Sequence, residues 1–104
     1  MTAVEATLVE AIASQRVVEF DYRRLMRIAE PHTLGISTSG VEQLLAYQIR
    51  GRSGSGLLPD WRRFDVDGIR AVAIHNETFQ RRPAPSGRHA RWQRIIAFVP
   101  AADE

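Results

Sequence analysis

The sequence lacks cysteine and lysine, and it contains no long run of apolar residues. Without cysteine the chain has no disulfide, no thiol nucleophile and no cysteine ligand for zinc, so we expect a protein of the reducing cytoplasm. No apolar run approaches the roughly 20 residues that a membrane-spanning helix requires. The three histidines lie on separate segments without a second ligand at helical spacing, so we expect neither a metal site nor a cofactor.

What the chain does contain fits one small folded domain. Its 104 residues are 44% hydrophobic and 25% charged, which is close to the globular average. All 14 basic residues are arginine, and 12 carboxylates leave a formal net charge of only +2. This balance alone does not indicate a nucleic-acid partner. The arginines would have to cluster on one face to bind phosphates, carboxylates or base planes.

The first segment predicts an amphipathic helix over residues 2–14. Its apolar residues recur at spacings of three and four: Val4, Leu8, Ala11 and Ile12. Thr2 and Glu5 have the spacing of a capping box, in which hydroxyl and carboxylate satisfy two free amides of the first turn. The helix is therefore expected to start at Thr2.

After Arg16 the hydrophobic period changes from 3.6 to 2, which predicts a series of short strands. The predicted strands cover residues 17–22, 26–36, 41–50, 61–66 and 69–74. Pro31 has no amide to donate, so it confines the second strand to a sheet edge or a bulge. Asp67-Gly68 predicts a hairpin turn between the fourth and fifth strands. Residues 92–99 predict a short final strand or a helical turn.

One helix followed by five or six short strands predicts a mainly β (α+β) fold, either a small antiparallel barrel or a strongly bent sheet. We expect residues 1–80 to form this barrel with its helix, and residues 81–104 to form a basic arm and a short strand that packs on the same domain. Residues 81–104 contain five arginines, which make this region basic: Arg81, Arg82, Arg88, Arg91 and Arg94. The arm either binds an acidic partner or is a solvated tail.

Catalytic residues are scarce in the sequence. Asp65 and Asp67 would share one strand face, where acid–base chemistry is conceivable if burial raised one pKa. Asp67 also suits a hairpin turn, and Asp65 lies beside Arg63 on the same face, so we favour a solvated ion pair. Because no nucleophile and base are paired, the sequence predicts a protein that is not an enzyme.

Four arginines flank the hairpin predicted through residues 51–60: Arg50, Arg52, Arg62 and Arg63. The hairpin would bring them together beside Trp61. Arginine next to aromatic rings on a β surface is typical of proteins that bind phosphates while stacking bases. The alternative is a rim of arginines that only keeps the protein soluble. Alternation places Arg63 opposite Phe64 and away from the core, which makes Arg63 the strongest single candidate.

A set of motifs spans most of the chain in a fixed order: Ala11-Ile12, Val18-x-Phe20-x-Tyr22, Arg27-Ile28-x-Glu30-Pro31-His32-x-Leu34-Gly35, Leu45-Ala46-Tyr47 and Arg62-Arg63-Phe64-x-Val66-Asp67-x-Ile69. Their order and spacing resemble the WYL domain, a bacterial regulatory module. The resemblance implies an SH3-like or Sm-like antiparallel β-barrel of about five strands. It also implies a ligand-sensing role in transcription regulation, often linked to DNA damage or phage defence.

The barrel face of WYL domains binds a negatively charged ligand, which in some members is nucleic acid. By this likeness the site would be lined by Arg27, His32, Tyr47, Arg62 and Arg63, and the hairpin argument adds Arg50.

Three of these candidates have structural alternatives. Arg27 could form a surface ion pair with Glu30 or Glu19 instead of binding phosphate. His32 could make a structural hydrogen bond. The ring of Tyr47 should lie at least partly in the core, because it alternates with apolar residues, and only its hydroxyl would then reach a ligand.

The sequence departs from the WYL pattern at three points. The naming triplet reads Ala46-Tyr47-Gln48, so only its tyrosine is kept. Gly68 stands where an arginine is common, which removes one expected cation. Only about 15 residues precede the first predicted strand, too few for a helix-turn-helix domain, so we expect a stand-alone domain rather than a complete regulator.

The sequence therefore predicts a stand-alone WYL-like domain that binds an anionic ligand, single-stranded nucleic acid or a nucleotide, through its arginine-rich face. The alternative is a protein-interaction module without nucleic acid, which forms a homodimer or docks a regulatory protein partner. An exposed edge strand near Pro31 would suit this alternative.

Overall fold

The computed structural model describes residues 1–54, 56–83 and 87–100, except for the side chain of Arg88. Within these residues one helix precedes six strands: α1 (Ala3–Ser14), β1 (Arg16–Tyr22), β2 (Leu25–Ile36), β3 (Glu42–Gly51), β4 (Asp60–Asp65), β5 (Arg70–Thr78) and β6 (Arg94–Phe98). The predicted mainly β fold with an N-terminal helix is confirmed. No helix in the described part of the chain has the length and apolar character needed to cross a membrane.

Helix α1 begins with the predicted capping box. The backbone N–H of Glu5 donates to the Thr2 hydroxyl over 3.1 Å, and the Thr2 N–H donates to the Glu5 carboxylate over 2.6 Å. Leu8, Ala11 and Ile12 are buried on one face of the helix, as its spacing predicted. The apolar face of the helix that the sequence predicted therefore packs against the sheet.

The six strands form one antiparallel sheet in the order β4-β3-β2-β1-β5, with β6 paired to the C-terminal part of β2. Strands β4 and β5 lie at opposite ends, and the described strands do not close into a barrel. The antiparallel sheet is confirmed, whereas the finer prediction of a barrel is not.

Strands β4 and β5 do not form the hairpin that Asp67-Gly68 predicted. A short 3-10 turn, Val66–Gly68, instead carries the chain from one end of the sheet to the other. Gly68 packs under the ring of Tyr22, where an added Cβ would lie only 2.8 Å from Cε1. The absence of a side chain at this position thus serves packing rather than a two-residue hairpin loop.

Pro31 lies inside the sheet, at a break in the ladder. Strand β1 pairs with β2 as far as Ala29, and β6 begins to pair at Thr33. On that side of β2, Pro31 therefore lies between the residues paired with β1 and those paired with β6, while on the other side it pairs with Ala46 of β3. The pairing with β3 also shifts register between Pro31 and Thr33. The prediction of a bulge is confirmed, and that of a sheet edge is wrong.

A carboxyl pair joins the helix to the sheet. Burial is the main cause that raises the pKa of Glu42 to about 7, and a hydrogen bond with Glu5 is the second. Hydrogen bonds from Thr2 and Glu42 lower the pKa of Glu5. Two carboxyl groups in contact repel when both are ionised, so the pair holds a proton near neutral pH.

Candidate anion-binding site

A cleft of about 630 Å³ follows the outer edge of β4. Four consecutive residues, Trp61–Phe64, line it. Side chains of consecutive strand residues point to opposite faces, so a cavity lined by all four must lie along the edge of the strand. Strand β4 is the last strand of the sheet on this side, and at its end the backbone N–H of Asp65 donates to the Tyr22 hydroxyl over 3.1 Å.

Four arginines line this cleft: Arg23, Arg27, Arg62 and Arg63. None of its described lining residues is acidic. A formal net charge of +2 for the whole chain therefore conceals a strongly positive concavity. We call it the arginine cleft. Its low-dielectric walls concentrate the field of the four cations and favour a bound anion.

Arg27 is the buried cation of the arginine cleft, with only 5% of its surface exposed. Its guanidinium donates to the Gln48 side-chain oxygen over 3.4 Å and to the Tyr22 carbonyl over 3.2 Å. Both acceptors are neutral, and its Nε finds no partner among the described residues. Burial, with repulsion from Arg62, lowers the pKa of Arg27. A buried charge without a counter-ion is costly, and a bound anion would remove that cost.

Aromatic rings and a buried amide hold Arg27 in place. Its guanidinium carbon lies 5.5 Å from the ring centroids of Tyr22 and Phe64, which are themselves in edge contact. Gln48 is fully buried and donates to the carbonyls of Arg50 and Arg52. These two bonds orient the amide so that its oxygen faces Arg27. The surface ion pairs with Glu30 or Glu19 that the sequence allowed are not made within the described residues.

Arg23 enters the arginine cleft from the β1–β2 turn. The pairing of Tyr22 with Leu25 leaves a two-residue loop, Arg23-Arg24, with φ values of 52° and 64°. Such left-handed turns normally carry asparagine and glycine. The Arg23 guanidinium lies 5.4 Å from the Tyr22 ring centroid and makes no hydrogen bond or ion pair with any described residue. Sequence reasoning missed Arg23, although the short gap between the predicted strands 17–22 and 26–36 indicated a turn at this position.

Arg63 lines the arginine cleft and also fixes the C-terminal segment. It donates to the carbonyls of His89 and Arg91 over 3.2 and 2.9 Å. Its guanidinium carbon lies 3.8 Å from the centroid of the Trp92 ring. Arg63 therefore joins β4 to the chain that precedes β6.

Gln43 bridges Arg63 and Asp65, the two residues expected to form an ion pair. Its side-chain oxygen accepts from Arg63 over 3.1 Å, and its amide donates to the Asp65 carboxylate over 2.8 Å. Asp65 thus reaches Arg63 through a neutral amide.

His32 lies under the C-terminal segment rather than in the arginine cleft. The backbone N–H of Arg82 donates to its Nε2 over 3.1 Å, which requires that nitrogen to be unprotonated. Its Nδ1 lies 2.9 Å from the Glu30 carbonyl and donates to it. Burial lowers the pKa of His32, in agreement with this neutral tautomer. His32 thus makes structural hydrogen bonds, which was the alternative to contact with a ligand.

Tyr47 is partly buried and contacts Trp61, as His32 does. Its ring packs edge-on against Trp61, with centroids 5.4 Å apart, and the Arg82 guanidinium carbon lies 4.1 Å from its centroid. Arg82 in turn pairs with the Glu30 carboxylate over 2.6 Å. The chain's own arginine therefore covers the ring of a residue that was expected to line the ligand site.

Arg50 lies outside the arginine cleft and pairs with Glu77 of β5 over 2.7 Å. Of the six residues predicted for the site, the structure brings together Arg27, Arg62 and Arg63. His32, Tyr47 and Arg50 have other surroundings. The hairpin pairing of β3 and β4 placed Arg62 and Arg63 opposite Ala46 and Leu45, well before the strand end that carries Arg50.

No family model, no curated protein and no solved structure matches this chain. The interpretation of the arginine cleft therefore depends on its own geometry and charge.

Proposed function

We propose that this domain binds a phosphate-bearing ligand, single-stranded nucleic acid or a nucleotide, in the arginine cleft. The observation that carries the proposal is Arg27, a buried guanidinium whose described partners are all neutral. An anion bound in the arginine cleft would offset this charge and accept hydrogen bonds from the guanidinium groups that line the cleft. Charge-assisted hydrogen bonds of this kind are about twice as strong as neutral ones.

The arrangement of the other cations supports a phosphate more than an isolated carboxylate. Arg23 and Arg62 line the arginine cleft together with Arg27, so one ligand can meet several guanidinium forks. Phosphates accept such forks through several oxygens at once. Trp61 lines the same cleft and offers a ring surface beside the cations. Cations combined with aromatic rings are typical of surfaces that bind single strands.

The resemblance to the WYL domain supports the same proposal and stays part of it. It implies a regulatory, ligand-sensing role and an SH3-like or Sm-like arrangement of strands. The departure at Gly68 is of interest here, because Arg23 stacks on the ring that covers this glycine. Arg23 would supply, from the β1–β2 turn, a cation that the glycine lacks.

The rival hypothesis of a protein-docking module has lost part of its basis. It relied on an exposed edge strand near Pro31, yet β2 lies inside the sheet between β3 on one side and β1 and β6 on the other. Part of the basic arm is also bound to its own domain, through Arg81 on the Val99 carbonyl and Arg82 on Glu30.

Titration with a labelled oligothymidylate at two salt concentrations tests the proposal. We expect saturable binding, and the logarithm of the affinity should fall linearly with the logarithm of the salt concentration. Arg62→Gln should weaken binding about tenfold through loss of a charge-assisted contact. Arg50→Gln removes the same charge outside the cleft and should change the affinity by less than about twofold. Absence of saturable binding, or equal effects of the two variants, would contradict the proposal.

A further inference from the structure

A second, smaller concavity of about 220 Å³ adjoins the arginine cleft. Its apolar walls come from the sheet and from the C-terminal segment: Leu45, Trp61, Trp92, Ile95, Phe98 and Val99. Arg81 and Arg82 also line it. We call it the aromatic groove. Ile95 and Phe98 are 48% and 56% exposed, so the groove presents apolar surface to the solvent.

The aromatic groove and the arginine cleft share a wall. Trp61 and His89 line both of them. Trp92, a groove residue, also carries the guanidinium of the cleft residue Arg63 on its ring at 3.8 Å. A ligand anchored in the cleft therefore has an apolar, ring-lined surface within its immediate reach.

Size argues against two independent sites. Binding pockets for small molecules usually have volumes of about 300–1,000 Å³. The arginine cleft, at about 630 Å³, lies within this range, whereas the groove, at about 220 Å³, is smaller than the range. The groove therefore suits one appended group of a ligand rather than a separate ligand.

We propose that the cleft and the groove form one two-part site, in which the cleft holds phosphate and the groove holds the attached nucleobase. This inference rests on the proposed function and adds the recognition of the base. The rings of Trp61 and Phe98 provide apolar surfaces on which any base can stack, and Trp92 lines the same groove. A flat ring fits this short, polar-rimmed groove better than a flexible acyl chain, which needs a longer apolar channel.

The two tryptophans of the chain supply a direct signal, because both line the aromatic groove. A base that stacks there should quench their fluorescence, whereas a phosphate held only in the cleft should not reach both rings. Three probes separate the possibilities: an oligothymidylate, an abasic deoxyribose-phosphate strand of the same length, and thymidine monophosphate. The third probe distinguishes a free nucleotide from a unit of a single strand.

We expect the oligothymidylate to bind about tenfold more tightly than the abasic strand and to quench the tryptophans, because base stacking adds to the phosphate contacts. Phe98→Ala should reduce this tenfold preference to less than about threefold without changing the affinity for the abasic strand. Val41→Ala removes a comparably exposed apolar side chain that lines neither cavity, and it should change neither affinity.

Equal affinity for the two strands, with no effect of Phe98→Ala, would overturn the two-part site and leave the phosphate site intact. Absence of binding by both strands would instead contradict the proposed function. Quenching by thymidine monophosphate at the affinity of the strand would assign the site to a free nucleotide, which still supports the two-part arrangement.

Discussion

Arg23 and Arg24 form a pair of matched positions that separates the role of a side chain from that of its backbone. Both residues have a left-handed φ in the same two-residue turn, and both are exposed. Only Arg23 lines the arginine cleft. Arg23→Gly and Arg24→Gly each remove one positive charge and one strained backbone, so any difference in binding must come from the position of the side chain.

The two substitutions should have similar effects on stability. A left-handed conformation costs an L-residue about 1–2 kcal/mol, which glycine avoids. Glycine also gains about 0.4–1 kcal/mol of entropy in the unfolded chain, which offsets part of this gain. Arg23→Gly additionally loses its contact with the Tyr22 ring, a contribution of about 0.5–1 kcal/mol at an exposed site. We therefore expect both free energies of unfolding to lie within about 1.5 kcal/mol of the parent, as measured by urea denaturation.

Binding should separate the two variants. Arg23→Gly is expected to weaken binding of an oligothymidylate by about 1–3 kcal/mol, and to reduce the slope of log affinity against log salt by about one. Arg24→Gly should change the affinity by less than about 0.5 kcal/mol, since it alters only the general field. Equal losses of affinity in the two variants would refute the assignment of Arg23 to the site.

Three further predictions concern the buried cation, the carboxyl pair and the C-terminal strand. Arg27→Met should leave the urea midpoint unchanged or raise it, because a buried charge is lost. The same variant should weaken the binding free energy for an oligothymidylate by about 1–3 kcal/mol. A large loss of stability with binding retained would contradict this prediction. The pKa of Glu42 is raised to about 7 from 4.5, so its stabilising contribution is complete below pH 4.5 and is lost as the pH rises through 7. Glu42→Gln should therefore flatten the profile of unfolding free energy against pH and make the protein about 1–2 kcal/mol more stable than the parent at pH 8. An unchanged profile would show that the carboxyl pair does not cause the pH dependence of stability. An added Cβ on Gly35 would lie 2.6 Å from the Arg94 carbonyl oxygen and 2.8 Å from the Trp92 ring. Gly35→Ala should therefore lower the free energy of unfolding by about 1–3 kcal/mol, as measured by thermal or urea denaturation. A midpoint equal to that of the parent would show that β6 packs less closely against β2.

Local signals in the sequence were sufficient to predict the helix and most strands. The capping box at Thr2 and the spacing of Leu8 and Ile12 indicate α1 because their causes lie within four residues of one another. The partners of a strand depend on residues far apart in the chain, so Asp67-Gly68 was assigned to a hairpin. The packing of the Tyr22 ring over Gly68, which only the folded chain reveals, favours the crossing to β5 instead.

The candidate site was predictable in part for the same reason. Arg62 and Arg63 were found from their place on a strand, and Arg27 from its motif. Arg27 is held by Gln48, a fully buried polar residue of β3, and no local pattern indicates the contact between these two residues. The covering of Tyr47 by Arg82 joins positions 35 residues apart in an irregular segment, for which periodicity gives no signal.

The central claim is that the arginine cleft binds phosphate, and the side-chain Nε–Hε resonances of the arginines test it most directly. Nuclear magnetic resonance can follow these signals while an oligothymidylate is titrated into ¹⁵N-labelled protein. We expect the largest saturable shifts at Arg27 and Arg62, which line the cleft, and small shifts at Arg50 and Arg70, which do not. Shifts of equal size at all four arginines, or larger shifts at Arg50 and Arg70, would contradict the account.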